Sequence, residues 1–338
     1  MINPTMTSAA PALPTHTDTP KTAGLWPRLR RWLVPAFGVL VLGLLLSNAH
    51  KVDWAGAWTA LKKYPPETLL MALGFATASH LLYGSFDLIG RHHTRHPLTR
   101  LHTWAIAVAS YAFNLNLGSL VGGVALRVRL YVRAGLEQST IAQIVGLSLS
   151  TNWLGYCLLA GGLFASGLIA PPDQAHIGSK ALRLAGGGMV LVAVAYVVAC
   201  ALCKGREWRV RGKLLHLPSA PVALVQLAIS VTNWSLMGAA MFMLLGGKVD
   251  YFTTLAVLMA ASIVGVLTPI PAGLGVLEAV YVSLLSGKVP QGELLGAVLA
   301  YRAVYYLLPM VGGLLLYGLL ERHASQHPPT DHGAEAAG

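Results

Sequence analysis

The stretch Thr268-Pro269-Ile270-Pro271-Ala272-Gly273-Leu274-Gly275-Val276-Leu277-Glu278 divides two apolar runs, 252–270 and 271–287, with two prolines, two glycines and a carboxylate. Proline removes a backbone donor and glycine weakens a helix, so helical structure breaks here. At membrane depth such a break is tolerated only where protein or water satisfies the freed N–H and C=O groups. Where this break lies relative to a bilayer decides the fold.

The surrounding chain is apolar. Of 338 residues, 55% are AVILMFWYC, 36 are glycine and only 11% are charged. The apolar share, about two-thirds, exceeds the roughly 45–50% of soluble chains and excludes an ordinary soluble enzyme. The net charge of +11 comes from 24 Lys and Arg against 13 Asp and Glu. In a polytopic membrane protein those cations flank spans under the positive-inside rule, so they do not indicate nucleic acid. Cys157, Cys200 and Cys203 lie in apolar runs and read as packing residues.

Residues 1–31, rich in Pro, Thr and Ala in their first two-thirds, read as a disordered cytosolic tail. Arg28, Arg30 and Arg31 precede the run 32–47, which with Ser47-Asn48-Ala49 imitates a secretory leader but is expected to be a retained first helix. Further runs lie at 67–90, 101–121, 139–169, 181–203, 218–245, the pair around the opening stretch, and 293–320. If every run crossed, Arg127, Arg129, Arg133, Lys204, Arg206, Arg209, Arg211 and Lys213 would all fall outside. The conflict vanishes if 101–134 enters from the cytosol, breaks at Gly118, Gly122 and Gly123, and returns. The segment 252–287 then enters from outside and breaks at Pro269, Pro271, Gly273 and Gly275. Sixteen Lys and Arg then lie inside and seven outside, with Arg302 left within a helix.

The predicted fold is an all-α polytopic membrane protein with about six transmembrane helices and two oppositely oriented re-entrant hairpins. The membrane domain spans 32–320, followed by a short cytosolic tail at 321–338, and both termini are cytosolic. Helix, hairpin and helix recur at about 67–169 and 218–320 in opposite orientation, an inverted repeat of the kind transporters use to open a midplane site to either side. An offset of 151 places Gly122 on Gly273 and Arg127 on Glu278.

Asp87, Arg127, Glu278 and Arg302 are the ionisable residues that loops explain least, and each would cost about 3 kcal/mol near mid-bilayer. If the hairpin tips meet, Arg127 and Glu278 reach one site, where guanidinium could fork onto phosphate and carboxylate could hold a cation or proton. A salt bridge that only joins the hairpins is the plainer alternative, and Asp87 could snorkel at a helix end. Asn116, two residues before a break, is the strongest candidate among the intramembrane amides Asn114, Asn116, Asn152 and Asn233. His80 reads as a packing histidine. His92, His93 and His96 lie among Arg91, Arg95 and Arg100 without a carboxylate or thiolate, so they read as a solvated basic loop facing anionic lipid, with no metal implied. Gly273-Leu274-Gly275 lacks the rest of a dinucleotide fingerprint, and no catalytic residues and no cofactor are indicated.

Three stretches together resemble the lysylphosphatidylglycerol-synthase transmembrane-domain family: Asn116 to Gly123 with Arg127 to Tyr131, the Pro271-Ala272-Gly273-Leu274-Gly275 block ending at Glu278, and Tyr301 to Pro309. The resemblance covers about 35–320. It implies an inner-membrane, flippase-type domain of the kind that moves aminoacylated phosphatidylglycerol between leaflets in bifunctional relatives. Those relatives carry an aminoacyl-transferase domain after the membrane part, whereas 321–338 resembles none, so the chain is expected to be a standalone flippase-type domain. That departure leaves the lysylated lipid open as substrate, the general expectation being a membrane phospholipid, anionic or aminoacylated. Arg127, Glu278 and Arg302 match the motif positions, which implies head-group or coupling roles. Ala272 stands where the family often has glycine. A homo-oligomer and a lipid-synthesis enzyme remain candidate partners, and a non-transporting membrane partner of such an enzyme is the alternative function.

Overall fold

The computed structural model describes residues 54–169, 178–202, 207–210, 213–216, 218–268 and 273–326. The run 32–47, Pro269 and Pro271, Cys203, and the tails at 1–31 and 327–338 lie outside the described residues. The described helices, in order, are α1 (Trp54–Lys62), α2 (Pro66–Thr94), α3 (Arg100–Leu117), a first π-helical segment (Ser119–Ala125), α4 (Leu126–Arg133), α5 (Gln138–Ser166), α6 (Ser179–Leu202), α7 (Ala220–Leu244), α8 (Tyr251–Leu267), α9 (Val276–Leu285), α10 (Gln291–Tyr301), a second π-helical segment (Arg302–Leu307) and α11 (Leu308–Gln326). A single antiparallel hairpin, β1 (Glu207–Val210) and β2 (Lys213–His216), joins α6 to α7 with Glu207 opposite His216. This hairpin and α1 fall in stretches that the apolar pattern leaves as loops. The last helix continues six residues into the expected tail, to Gln326.

Five candidate spans are long and apolar enough to cross a bilayer among the described residues: Pro66–Thr94, Gln138–Ser166, Ser179–Leu202, Ala220–Leu244 and the continuous stretch Gln291–Gln326. Sequence chemistry sets their ends. Pro66 opens α2, where a missing N–H costs nothing, and Glu67 favours the positive helix start. Thr99 caps α3 by accepting from the His102 N–H at 3.2 Å, and Asp250 caps α8 by accepting from the Thr253 N–H at 2.9 Å.

The two interrupted segments are hairpins that open at opposite ends of the bundle. In the first, Gly118 takes φ 85°, a conformation costly for any side chain, and the chain turns back so that the π segment packs along α3. Both ends of this hairpin lie at the α11 C-terminus: the His102 ring lies 5.5 Å from that of His323, tilted by 58°, and Arg133 pairs with Glu321 at 3.2 Å. In the second, α9 returns along α8, with the Tyr281 hydroxyl donating to the Thr254 carbonyl at 3.4 Å near the start of α8. Lys248, just before α8, pairs with Glu293 at the start of α10. Since the chain from α10 to α11 runs the full length of the bundle, the hairpins enter from opposite ends.

Small residues let the helices approach, as lipid-embedded packing requires. A Cβ on Gly161 would lie 2.8 Å from the Gly186 carbonyl across α5 and α6, and one on Gly155 would lie 2.1 Å from the Ser230 hydroxyl across α5 and α7. The Trp104 indole occupies the space above Gly84 and donates to the Leu81 carbonyl at 2.9 Å.

Two outcomes are expected. After Cys157, Cys200 and Cys203 are replaced, single cysteines at Arg100 and Arg133 label with impermeant maleimide from one side of sealed vesicles, and cysteines at Lys248 and Lys288 from the other. Labelling of positions 100 and 133 from opposite sides rules out the first hairpin. Gly84→Ala, whose Cβ would lie 2.3 Å from the Trp104 ring, lowers stability by about 1–3 kcal/mol in thermal unfolding of detergent-solubilised protein. Gly187→Ala, with nothing within 4 Å of the new methyl, serves as the neutral control.

Candidate functional site

The second hairpin resumes its helix at Gly275, whose φ of 81° ends the break and starts α9. Glu278 therefore falls in the first turn of α9, where unpaired N–H groups favour a carboxylate. Arg302 reaches it from the second π segment: Nε donates to Oε1 at 2.6 Å and Nη2 to Oε2 at 3.0 Å, a two-pronged fork. Nη2 also donates to the Gly273 carbonyl at 2.7 Å, satisfying broken backbone, and the guanidinium lies 5.6 Å from the Tyr306 ring centre. Glu278 is the open member of the pair, with 19% of its side chain exposed against 7% for Arg302. The π geometry that presents Arg302 has a local cause. Pro309 has no N–H to return to the Tyr305 carbonyl, and the ladder slips so that the Leu308 N–H bonds back to Ala303.

Arg127 makes a different pair from the one expected. Its Nη1 lies 3.3 Å from Asp87 Oδ1 on α2 and donates to the Ser148 hydroxyl on α5 at 2.9 Å, while Nη2 donates to the Tyr83 hydroxyl at 3.4 Å. The Tyr131 hydroxyl donates to Asp87 Oδ2 at 2.8 Å. Only 2% of the Arg127 side chain and none of the Asp87 side chain is exposed, so Asp87 does not snorkel. Each returning arm lies against a flanking helix of its own half that carries the opposite charge. That is why Arg127 and Glu278 each have a nearer partner than one another.

A file of tyrosines joins the two pairs. Arg127 sits 5.6 Å from the Tyr83 ring, Tyr83 stacks on Tyr111 at 3.8 Å, and the Tyr111 and Tyr305 hydroxyls are 3.0 Å apart. Tyr305 stacks on Tyr301 at 5.1 Å and contacts Tyr306 at 6.1 Å, which brings the file to Arg302. Ser79 sits beside it, donating to Asn233 Oδ1 at 2.8 Å and lying 2.6 Å from the Tyr305 hydroxyl. The His80 ring lies 4.9 Å from both Tyr111 and Tyr305, with Nδ1 2.8 Å from the Ala76 carbonyl. Asn116 ties the first hairpin to the second π segment, donating from Nδ2 to Tyr306 O at 3.1 Å. Sequence reasoning passed over Tyr83, Tyr111 and Ser79. The available signal was the spacing of Ser79, His80 and Tyr83, which puts three polar side chains on one face of an apolar helix.

The chain matches the family described as Lysylphosphatidylglycerol synthase TM region over residues 32–313. It is 42% identical over 302 residues to Inner membrane protein YbhN of Escherichia coli, covering 89% of this chain and 95% of that one. It is 24% identical over 307 residues to Uncharacterized protein slr0712 of Synechocystis, covering 88% and 94%. The chain belongs to the lysylphosphatidylglycerol synthase transmembrane-region family.

Within that family assignment, the three resembling stretches come to adjacent places: Asn116 beside Tyr306, and the Gly273 to Glu278 block against Arg302. The glycines of the first hairpin divide in role. Gly118 makes the turn, and Gly122 and Gly123 permit close approach of the returning arm. A Cβ on Gly122 would meet the Phe113 carbonyl at 2.2 Å, and one on Gly123 the Asn114 Oδ1 at 2.7 Å, so both allow the returning arm to pack on α3. His96 also departs from the expected solvated loop. It is buried and meets the Tyr131 ring edge at 6.3 Å. Burial first, and then the Arg91 charge, push its pKa below the usual imidazole range, with Asp87 opposing them.

Asp87→Ala leaves the Arg127 charge buried without its carboxylate, and a loss of about 3–5 kcal/mol is expected in thermal or denaturant unfolding. Asp87→Ala combined with Arg127→Met recovers much of that loss. Additive losses in the double variant would show that the pair is not coupled.

Proposed function

We propose that the protein is a multi-pass lipid transporter of the bacterial inner membrane. It moves a phospholipid or aminoacylated phospholipid head group between leaflets along the space between the two hairpins, while the acyl chains stay in the bilayer. Both termini face the cytosol, as the Lys and Arg asymmetry predicts. The reading is of a transporter and not an enzyme. The family and the inner-membrane relative support the setting.

The observation that carries the reading is the Arg302–Glu278 fork, placed where the second hairpin and the last span are both interrupted, with Glu278 partly open. A guanidinium fork fits a phosphate as well as a carboxylate. A head group bearing phosphate and ammonium can exchange partners with the fork, phosphate onto Arg302 and ammonium onto Glu278. This leaves no buried charge alone, whereas removing one partner outright costs about 3–5 kcal/mol. A head group without an amine needs a coupling proton on Glu278 instead. Hairpins opening at opposite ends supply the two access routes, and transport requires the two states to bind the head group differently.

The test uses purified protein in liposomes with head-group-labelled phosphatidylglycerol or an aminoacylated analogue, timing the access of an impermeant quencher to inner-leaflet label. Wild type is expected to accelerate exchange. Glu278→Gln and Arg302→Ala are expected to abolish it while eluting as folded protein, and Lys248→Gln at the bundle end leaves it unchanged. Exchange that survives both site variants moves the pathway elsewhere. No exchange with several lipids and an imposed proton gradient overturns transport in favour of a membrane partner that presents lipid to a synthase.

A further inference from the structure

A short chain of hydrogen bonds ties α2 and α3 of the first half to α7 and the second π segment of the other. Asn233 Oδ1 only accepts, so the Ser79 hydroxyl gives it its proton at 2.8 Å, and the Tyr305 hydroxyl, 2.6 Å away, gives its own to Ser79. The Tyr111 proton in turn goes to Tyr305 at 3.0 Å or to Met237 Sδ at 3.7 Å. Every hydroxyl proton of the chain is therefore committed. His80 lies against this chain, its ring 4.9 Å from those of Tyr111 and Tyr305 and only 5% of the residue exposed. Its Nδ1, 2.8 Å from the Ala76 carbonyl, carries a proton, because a carbonyl only accepts. That leaves Nε2 as a lone-pair acceptor, buried and with no hydrogen-bond partner among the described residues. A buried acceptor without a donor is the exception in folded proteins.

We propose that His80 Nε2 is a proton-binding site, separate from Glu278, whose occupancy shifts the two halves between their inward-open and outward-open states; the link to those states rests on the transporter reading above. The added proton bonds to the Nε2 lone pair and no bond breaks, which gives an imidazolium with both nitrogens donating. The one open acceptor thus becomes a donor. The two tyrosine rings at 4.9 Å lie within the range of a cation–π contact, but Nε2–H also needs an acceptor, and the chain between the halves must re-pair to provide one. Because the ring is buried, a proton reaches it as the halves part, which ties uptake to the change of state. Other titratable groups surround the chain. Tyr83 stacks on Tyr111, with Arg127, Asp87 and Tyr131 beyond it, and Tyr301 and Tyr306 flank Tyr305, with Arg302 and Glu278 beyond them. Of the other helices against α2, α7 carries no titratable residue, and α5 carries Cys157 and Tyr156, which donates to the Met259 carbonyl. Arg100 and His102 at the start of α3, Tyr317 to His323 of α11, and Glu67 and Arg91 to His93 of α2 lie toward helix ends. Imidazole is the side chain whose ordinary titration range lies near neutrality.

NMR of protein carrying isotope-labelled histidine in lipid nanodiscs, from about pH 8 to about pH 5, reads the protonation of each ring. His80→Asn identifies the His80 signals by their loss; its amide can still donate to the Ala76 carbonyl but takes up no proton. Spin labels on cysteines at Leu120 and Leu267, exposed beside the two breaks, report the separation of the hairpins after the native cysteines are replaced. With His80 intact, a neutral ring protonated on Nδ1 at high pH, an imidazolium at low pH and a label separation that shifts over the same range are expected. In His80→Asn the separation stays constant. Lipid exchange in the liposome assay is expected to vary with pH by at most about tenfold per unit, the limit for one proton, and to lose that dependence in His80→Asn. A His80 ring that stays neutral throughout overturns the proposal. So does a label separation that ignores pH while His80 is intact, which needs no variant, or an equal shift in folded His80→Asn. Titration and label shift without any lipid exchange support the proton site while the transport reading fails.

Discussion

A buried charge in a lipid-embedded bundle must be answered by another group of the protein, because no solvent is there to answer it. Asp87 with Arg127 and Glu278 with Arg302 meet that demand. Each couples the returning arm of a hairpin to a flanking helix of the same half. Such pairs add little net stability compared with apolar residues, but they forbid arrangements that would leave one charge alone. The register of each hairpin against its neighbours follows from that prohibition.

The same demand governs the backbone. The positive φ of Gly118 and Gly275 turns the chain at the two breaks, and the carbonyl freed at Gly273 is taken up by Arg302. Pro309 removes a donor in the last span, and the π segment that results presents Arg302 to Glu278. Backbone irregularity and buried charge therefore occupy the same places, each satisfying what the other leaves open. The tyrosine file extends this economy. The Tyr111 and Tyr305 hydroxyls pair with one another, and Tyr305 with Ser79, so polar atoms lie between the two ion pairs.

The bundle in this way has two distinct kinds of polar ground. The inner one is hydrogen-bonded and built on interrupted helices, with Glu278 its more open member. The outer one, at the end of the bundle where the first hairpin opens, places His102, Arg133 and His323 beside Leu101, Leu316 and Leu319.

Much of the fold was legible in the sequence because hydropathy, Gly and Pro breaks and Lys and Arg placement are properties of the chain taken one residue at a time. They determined the long apolar helices, the two hairpins and their opposite orientation, and the four charges Asp87, Arg127, Glu278 and Arg302 as the residues in need of partners. The partners themselves were not legible. Pairing Arg127 with Asp87 depends on which face α2 turns toward α4. The packing role of Gly122 and Gly123 depends on how closely the first hairpin folds onto itself. The tyrosine file draws on helices far apart in sequence, and the apolar pattern carries no information about which helices meet. Only the tertiary structure decided these, because burial without water makes each pairing depend on every neighbouring surface at once.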